Sequence, residues 1–152
     1  MSKLKRLVFS AAPPTTAAVV GGLAARNAKD VYEHLDKPRW APPASVFGPV
    51  WTALYSLLGV VGWRVSARPR STAAWLHLAQ LGLNASWTPL FFDSRRRRPA
   101  LVVSALLDAA VVAEMRSLGK QGDATSSLLL LPYLAWSSYA TALTAAVSDP
   151  PN

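Results

Sequence analysis

The chain has 152 residues, which is the size of one domain, and 51% of them are hydrophobic whereas only 16% are charged. The formal net charge is +8, but the Lys and Arg residues cluster between apolar runs, so no basic face assembles and we expect no nucleic acid partner. Because the chain has no cysteine, disulfides, Cys-based metal sites and a thiol nucleophile are excluded.

Five apolar runs follow one another along the chain, each of about the 17–25 residues that cross a bilayer. The first run, residues 7–25, follows three basic residues and contains Pro13 and Pro14. A signal peptide has similar basic and apolar regions, but this run is too long and too rich in Thr and Gly for a signal core. We interpret it as a retained helix. The other runs are residues 46–63, 72–92, 99–115 and 126–147.

The links between these runs are short except for residues 26–45, which separate the first two runs. Lipid permits only helices or closed barrels, and the runs lack the alternating pattern of barrel strands. The sequence therefore predicts an all-α integral membrane bundle of five transmembrane helices, which forms a single domain in contact with membrane lipid. The terminus and links on each side of the membrane together carry eight Lys or Arg, with Arg95 to Arg98 in the third link. The positive-inside rule therefore assigns no orientation.

Aromatic and polar residues recur at steps of three and four in three of the runs, which places them on one face of each helix. Such stripes favour a pocket for a large flat ligand. Helix packing with a belt of interfacial tryptophans would produce the same pattern, and spacing alone leaves both alternatives open. The stripes are Phe47, Trp51 and Tyr55; His77, Gln80, Asn84, Trp87 and Phe91; and Tyr133, Trp136, Ala140 and Thr144.

Three ionisable residues, His77, Asp108 and Glu114, lie within the predicted helices. His77 could ligate a haem iron, but a lone intramembrane His more often hydrogen-bonds a neighbouring helix, and we predict no metal site. Asp108 lies in the middle of the fourth run. It either pairs with a buried polar group such as His77 or makes a hydrogen bond in a cavity or between packed helices.

Three sequence blocks resemble the translocator protein (tryptophan-rich sensory protein) family, and they occur in the family's order. Residues 37–43 read KPRWAPP and residues 47–55 read FGPVWTALY, similar to the family's KPxWxPP and FxxVWxxLY. Residues 80–87 read QLGLNASW, followed by Phe91 and Phe92, and residues 132–136 read PYLAW. The blocks are spread along the chain from residue 37 to residue 136, and each is far more specific than a lone glycine motif.

The resemblance implies a pocket inside the five helices that is closed by the link 26–45. It implies a multi-pass receptor or sensor, expected in the bacterial cell membrane, that binds tetrapyrroles such as protoporphyrin IX or a haem-like porphyrin, and benzodiazepine-site ligands. No cofactor is obligatory, and Trp51 and Asn84 are expected to hydrogen-bond the ligand. The ligand-binding residues that the resemblance implies are Tyr32, Trp40, Pro42, Pro43, Phe47, Trp51, Tyr55, Asn84, Trp87, Phe91, Trp136 and Ala140.

Two other activities are alternatives to a sensor. The first is light-dependent porphyrin degradation, in which Trp51 and Trp136 would be the oxidisable, catalytic residues. The second is transport of tetrapyrroles or steroids, against which an odd number of helices without a visible repeat argues. No Tyr, Lys or Arg follows Ala140, so the family's cholesterol-associated pattern is missing. His77 and Val31 also depart from the aromatic residues common at these positions.

The third helix carries a pair of small residues, Gly82 and Ser86, beside its polar stripe. Small residues four apart allow two helices to approach closely. We therefore predict a homodimer through the third helix, with packing inside the monomer as the alternative.

Overall fold

The computed structural model describes residues 1–93 and 96–148, so Arg95 of the third basic link lies outside the described residues. The described chain is all-helical, as predicted, and forms no strand beyond a single antiparallel bridge between Asp36 and Ser148. Its α-helices are α1 (Lys3–Ala24), α2 (Ala28–His34), α3 (Phe47–Val65), α4 (Thr72–Thr88), α5 (Arg97–Lys120), α6 (Ala124–Leu129) and α7 (Leu131–Ala146).

Prolines explain where two predicted helices differ from the observed ones. A proline lacks the N–H that continues the helical ladder. The third run was expected to continue to residue 92, but α4 ends at Thr88 and the turn Pro89–Asp93 is π-helical. The fifth run is divided at Leu130, two residues before Pro132, into α6 and α7.

The link between α1 and α3 is folded and tied down at several points. It contains α2 and a 3-10 turn at Ala44–Val46. The Lys37 ammonium donates to the carbonyl oxygens of Tyr32 and Leu35 at 2.6 and 3.1 Å, which satisfies groups that the end of α2 leaves free. The backbone bridge between Asp36 and Ser148 joins this link to the end of α7.

The long helices pack in a ring. Helix α1 contacts α3 and α4, α4 contacts α5, α5 contacts α7, and α6 contacts α3. The core between them includes Leu58, Val61 and Val111, whose side chains are fully buried. Asp123 closes the ring between α3 and α6, because its carboxylate accepts hydrogen bonds from Arg64 and from the Ser126 hydroxyl at 2.7 and 2.6 Å. Burial alone would raise the pKa of Asp123, but these bonds hold it below its usual value.

Hydrogen bonds between α5 and α7 decide between the two interpretations of Asp108. Its carboxylate accepts from Ser137 at 2.7 Å and from Thr141 at 2.9 Å, both on α7. Asp108 therefore packs two helices together, and its suggested pairing with His77 is wrong. His77 contacts Glu114 instead, with 2.8 Å between Nδ1 and Oε1.

Three described segments are long and apolar enough to cross a membrane: Lys3–Ala24, Ala44–Val65 and Ala124–Ala146. Helix α4 has only 17 residues. Helix α5 is longer but includes Asp108, Glu114 and several basic residues, which lower its hydropathy.

Candidate ligand cavity

A cavity of about 510 Å³ lies between α1, the link, α3 and the end of α4. This volume falls within the range of roughly 300–1,000 Å³ that is usual for small-molecule sites. Most of its wall is apolar. The lining residues are Ala18, Gly21, Gly22, Ala25, Ala28, Lys29, Tyr32, Ala44, Ser45, Phe47, Gly48, Trp51, Thr52, Tyr55, Trp87, Thr88 and Phe92.

Small residues on α1 create much of this space. Ala18, Gly21 and Gly22 of α1 and its C-cap residue Ala25 follow one another at helical spacing along one side of the cavity. A Cβ atom on Gly21 would lie 3.5 Å from the Thr88 hydroxyl, and one on Gly22 would meet no atom within 4 Å. None of these residues was predicted to belong to the site. The signal available was the run of small residues around the adjacent glycines.

Stacked and edge-on aromatic rings form the opposite wall. Trp51 stacks on Tyr55 one turn later, with ring centroids 5.5 Å apart and an interplanar angle of 28°. Phe47 meets Tyr32 of the link edge-on at 5.2 Å. Trp87 stacks on the buried Phe91 at 5.0 Å. The cavity therefore presents several flat apolar faces to a ligand.

A hydrogen-bonded column extends from the cavity wall into the bundle. The Tyr55 hydroxyl donates to Asn84 Oδ1 at 2.6 Å, and Asn84 Nδ2 donates to the Tyr133 hydroxyl at 3.2 Å. Asn84 is 3% exposed and is not among the lining residues. Tyr55 is thus the member of this column that lines the cavity, and Asn84 positions it from behind.

Five of the twelve residues expected to bind the ligand line this cavity: Tyr32, Phe47, Trp51, Tyr55 and Trp87. The other seven residues do not line this cavity. They are Trp40, Pro42, Pro43, Asn84, Phe91, Trp136 and Ala140.

Two tryptophans illustrate where the other residues lie. Trp40 is 49% exposed, and its carbonyl accepts a hydrogen bond from the Tyr139 hydroxyl at 2.8 Å. Trp136 packs edge-on against Phe47, with centroids 5.8 Å apart. Of the two tryptophans considered for light-driven chemistry, only Trp51 reaches the wall of the cavity.

Two groups of the link give the cavity a polar rim. Lys29 lines the cavity with a side chain that is 75% exposed, and its ammonium is 3.9 Å from Glu33, too long and too exposed for a strong pair. The Tyr32 hydroxyl donates to the Pro42 carbonyl at 2.7 Å. Burial, with a smaller effect of Tyr139, raises the pKa of Tyr32, so its phenol stays neutral at physiological pH.

Within residues 1–93 and 96–148, no group of three or more His, Asp and Glu side chains is placed to hold a metal ion. His77 is fully buried beside Glu114 and is not part of the cavity lining. The groups that the cavity offers to a ligand are aromatic rings, hydroxyl groups and the ammonium group of Lys29.

Comparison with known proteins finds one family across nearly the whole chain. The profile of the TspO/MBR family matches residues 9–148. The chain is 36% identical to the tryptophan-rich sensory protein of Cereibacter sphaeroides over 138 residues, which covers 90% of this chain and 83% of the relative. It is 37% identical to the tryptophan-rich protein TspO of Archaeoglobus fulgidus, covering 81% of each chain. The human translocator protein is 36% identical over 74% of this chain and 69% of its own.

Proposed function

The chain belongs to the TspO/MBR family, and we propose on that premise that it is a membrane receptor or sensor that binds porphyrins. Protoporphyrin IX is the expected ligand, and flat benzodiazepine-site ligands are expected to use the same site. The observation that carries this proposal is the cavity of about 510 Å³ with Trp51 stacked on Tyr55 in its wall.

The lining suits the chemistry of a porphyrin. A large conjugated ring gains stacking energy from aromatic side chains and is expelled from water by their apolar surface. The carboxylates of a porphyrin need a cation or a hydrogen-bond donor. Lys29 lies at the rim of the cavity, where it can pair with a carboxylate while the ring lies against Trp51.

The outer surface of the bundle supports five membrane spans, in which α4 and α5 cross the membrane together with the three apolar segments. Large apolar side chains point outward from every long helix, and contiguous exposed apolar surface is typical of contact with lipid. The intramembrane acids of α5 face other helices, because Asp108 bonds α7 and Glu114 is fully buried. The outward residues include Leu7, Val19, Val60, Trp75, Val102, Leu106 and Leu128. A bacterial cell membrane is the proposed location.

Porphyrin titration of the Trp51→Phe variant tests the site. Phenylalanine keeps an apolar ring but removes the indole N–H, which we expect to donate to the ligand. The loss of one such hydrogen bond should weaken binding by about 1–2 kcal/mol, which corresponds to roughly 5–30-fold in Kd. Absorbance of the porphyrin during titration of the purified protein measures this change.

Trp63→Phe is the matched control, because Trp63 packs under the Arg6 guanidinium and does not line the cavity. This variant should bind porphyrin with the same affinity as the parent. Equal affinities for the parent and both variants would mean that porphyrin does not use this wall.

A homodimer through α4 is also proposed. Gly82 and Ser86 are exposed on α4, and a Cβ atom on Gly82 would meet nothing within 4 Å in the single chain. A larger residue there would obstruct a partner without disturbing the bundle. We expect Gly82→Leu to elute as a monomer in detergent while it still binds porphyrin.

The control for this change is Gly119→Leu on α5, where a Cβ atom also meets nothing within 4 Å. It should not alter the elution volume. A Gly82→Leu variant that stays dimeric would exclude this interface, and one that loses folding and binding together would place Gly82 inside the bundle.

A further inference from the structure

A second concave region, the outer groove, lies on the outside of the bundle along α5, between the start of α4 and α7. Its volume is about 780 Å³, and it shares no lining residue with the ligand cavity. On α5 the lining residues recur at steps of four, from Asp108 through Val112 and Arg116 to Lys120. The outer groove therefore runs parallel to the axis of this helix.

One end of the outer groove is basic. Arg116 and Lys120 are exposed there, one helical turn apart, and in the described part of the chain neither is paired with a carboxylate. Thr72 adds a hydroxyl group to the same end, because the contact between His77 and Glu114 brings the start of α4 beside the end of α5. This end is therefore suited to an anion that accepts hydrogen bonds.

The rest of the outer groove is mainly apolar. Leu76, Val112 and Leu134 contribute its larger apolar side chains, one from each of the three helices. Ala109 and Ala113 lie one turn apart on α5 and make room between them. A ligand that fits both regions needs an anionic head and an apolar chain.

The length of the outer groove matches one leaflet of a bilayer. Asp108 lies midway along α5 (Arg97–Lys120), and residues 108 and 120 are about 18 Å apart along the helix axis at a rise of 1.5 Å per residue. Half of a hydrocarbon core is about 15 Å thick, and the headgroup region begins beyond it. With α5 across the membrane, the outer groove extends from the headgroups to the bilayer centre.

The acidic residue at the inner end does not cancel the charge at the basic end. The Asp108 carboxylate accepts hydrogen bonds from Ser137 at 2.7 Å and from Thr141 at 2.9 Å, so its oxygens are directed to α7. It is also about 18 Å along the helix from Lys120, beyond the reach of an ion pair. The two basic side chains are thus available to a ligand.

We propose that the outer groove binds one anionic phospholipid, whose phosphate contacts Arg116 and Lys120 and whose acyl chain lies along α5 toward Asp108. Guanidinium and ammonium groups bind phosphate through charge-assisted hydrogen bonds, and basic pockets between membrane helices bind anionic headgroups. The proposal rests on the five membrane spans proposed above, because α4 and α5 must cross the bilayer, but it does not depend on porphyrin binding.

Native mass spectrometry of the full chain in detergent tests the headgroup contact. Phosphatidylglycerol and phosphatidylcholine with identical acyl chains are the probes, and the Kd of the first bound lipid is measured for each. The parent should bind phosphatidylglycerol roughly tenfold more tightly, as expected for two basic residues near a headgroup. Arg116→Gln/Lys120→Gln should bind both lipids with the same affinity.

Lys3→Gln/Lys5→Gln is the matched control for charge. Both lysines are exposed and lie outside the outer groove. They are at the same end of the bundle, because the nearby Arg6 lines a separate pocket together with Leu118 of α5. This variant loses two positive charges and should keep the preference for phosphatidylglycerol. An equal loss of preference in both double variants would overturn the proposal, because general positive charge would explain it.

A second pair of variants tests the position of the acyl chain. Ala109 and Ala105 are both exposed on α5, but only Ala109 lines the outer groove. Ala109→Leu should weaken the binding of phosphatidylglycerol roughly tenfold, as expected when about two methylene groups lose their contacts. Ala105→Leu should bind it like the parent. Equal binding by both variants, or a change of elution volume in Ala109→Leu that shows a second copy of the chain in the groove, would overturn the proposal.

A thiol at position 105 separates failure of this site from failure of the five membrane spans. The chain has no cysteine, so Ala105→Cys introduces a single thiol on the exposed side of α5. In vesicles of phosphatidylglycerol and phosphatidylcholine, this thiol should resist a water-soluble maleimide. A shielded thiol, together with equal affinities of the parent for the two lipids, would overturn the lipid site and leave the spans intact. A labelled thiol would overturn both.

Discussion

Replacing His77 with Leu is expected to lower the free energy of unfolding by about 1–3 kcal/mol, the usual cost of leaving a buried polar group without its hydrogen-bond partner. Glu114 is 0% exposed, and its only described hydrogen bond is the 2.8 Å contact with His77. Without the imidazole, the Glu114 carboxyl group would be buried with no hydrogen-bond partner among the described residues, which is costly in an apolar interior. Reversible unfolding in mixed micelles, followed by circular dichroism, measures the loss.

The double variant His77→Leu/Glu114→Leu separates this penalty from general damage to packing. Replacing both partners with apolar residues of similar volume removes both buried polar groups together, and such replacements can be nearly neutral or stabilising. We expect the double variant to recover most of the stability that the single variant loses. A double variant less stable than His77→Leu would show that altered packing, and not the unpaired Glu114 carboxyl group, causes the loss of stability.

The pairing of His77 shows the limit of sequence reasoning in this bundle. Helical spacing correctly placed His77, Gln80 and Asn84 on one face of α4 and toward the interior, where all three are buried. It could not identify Glu114 as the partner, because that residue is 37 positions away and the choice depends on how α5 lies against α4. Periodicity shows which face of a helix is buried but not which residue it meets.

The cavity also shows which site residues periodicity can predict and which it cannot. The steps of four from Phe47 to Trp51 and Tyr55 predicted an aromatic wall, and these three residues do line the cavity. A similar stripe on α7 placed Trp136 on an inward face, but Phe47 lies against its ring and the described lining does not include it. The small residues around Gly21 and Gly22 do not show by themselves which neighbour they face, because the space beside them depends on how α1 lies against α4.

These small residues support a prediction about the volume of the cavity. Introducing a side chain at Gly22 should fill the space that a porphyrin ring needs. A Cβ atom there meets nothing within 4 Å, and leucine favours a helix more than glycine does, so the variant should fold at least as well as the parent. We expect binding to weaken slightly in Gly22→Ala and by about a hundredfold in Gly22→Leu, which corresponds to about 2.8 kcal/mol.

The graded series distinguishes loss of volume from loss of contacts, because a smaller cavity must penalise leucine far more than alanine. Absorbance titration with protoporphyrin IX measures both affinities, and thermal unfolding in detergent checks that the bundle is intact. Gly119→Leu, which adds the same side chain to an open position on α5, should leave the affinity unchanged. If Gly22→Leu binds porphyrin as tightly as this control, the ligand does not enter the space beside α1. The proposed site would then have to lie elsewhere in the bundle.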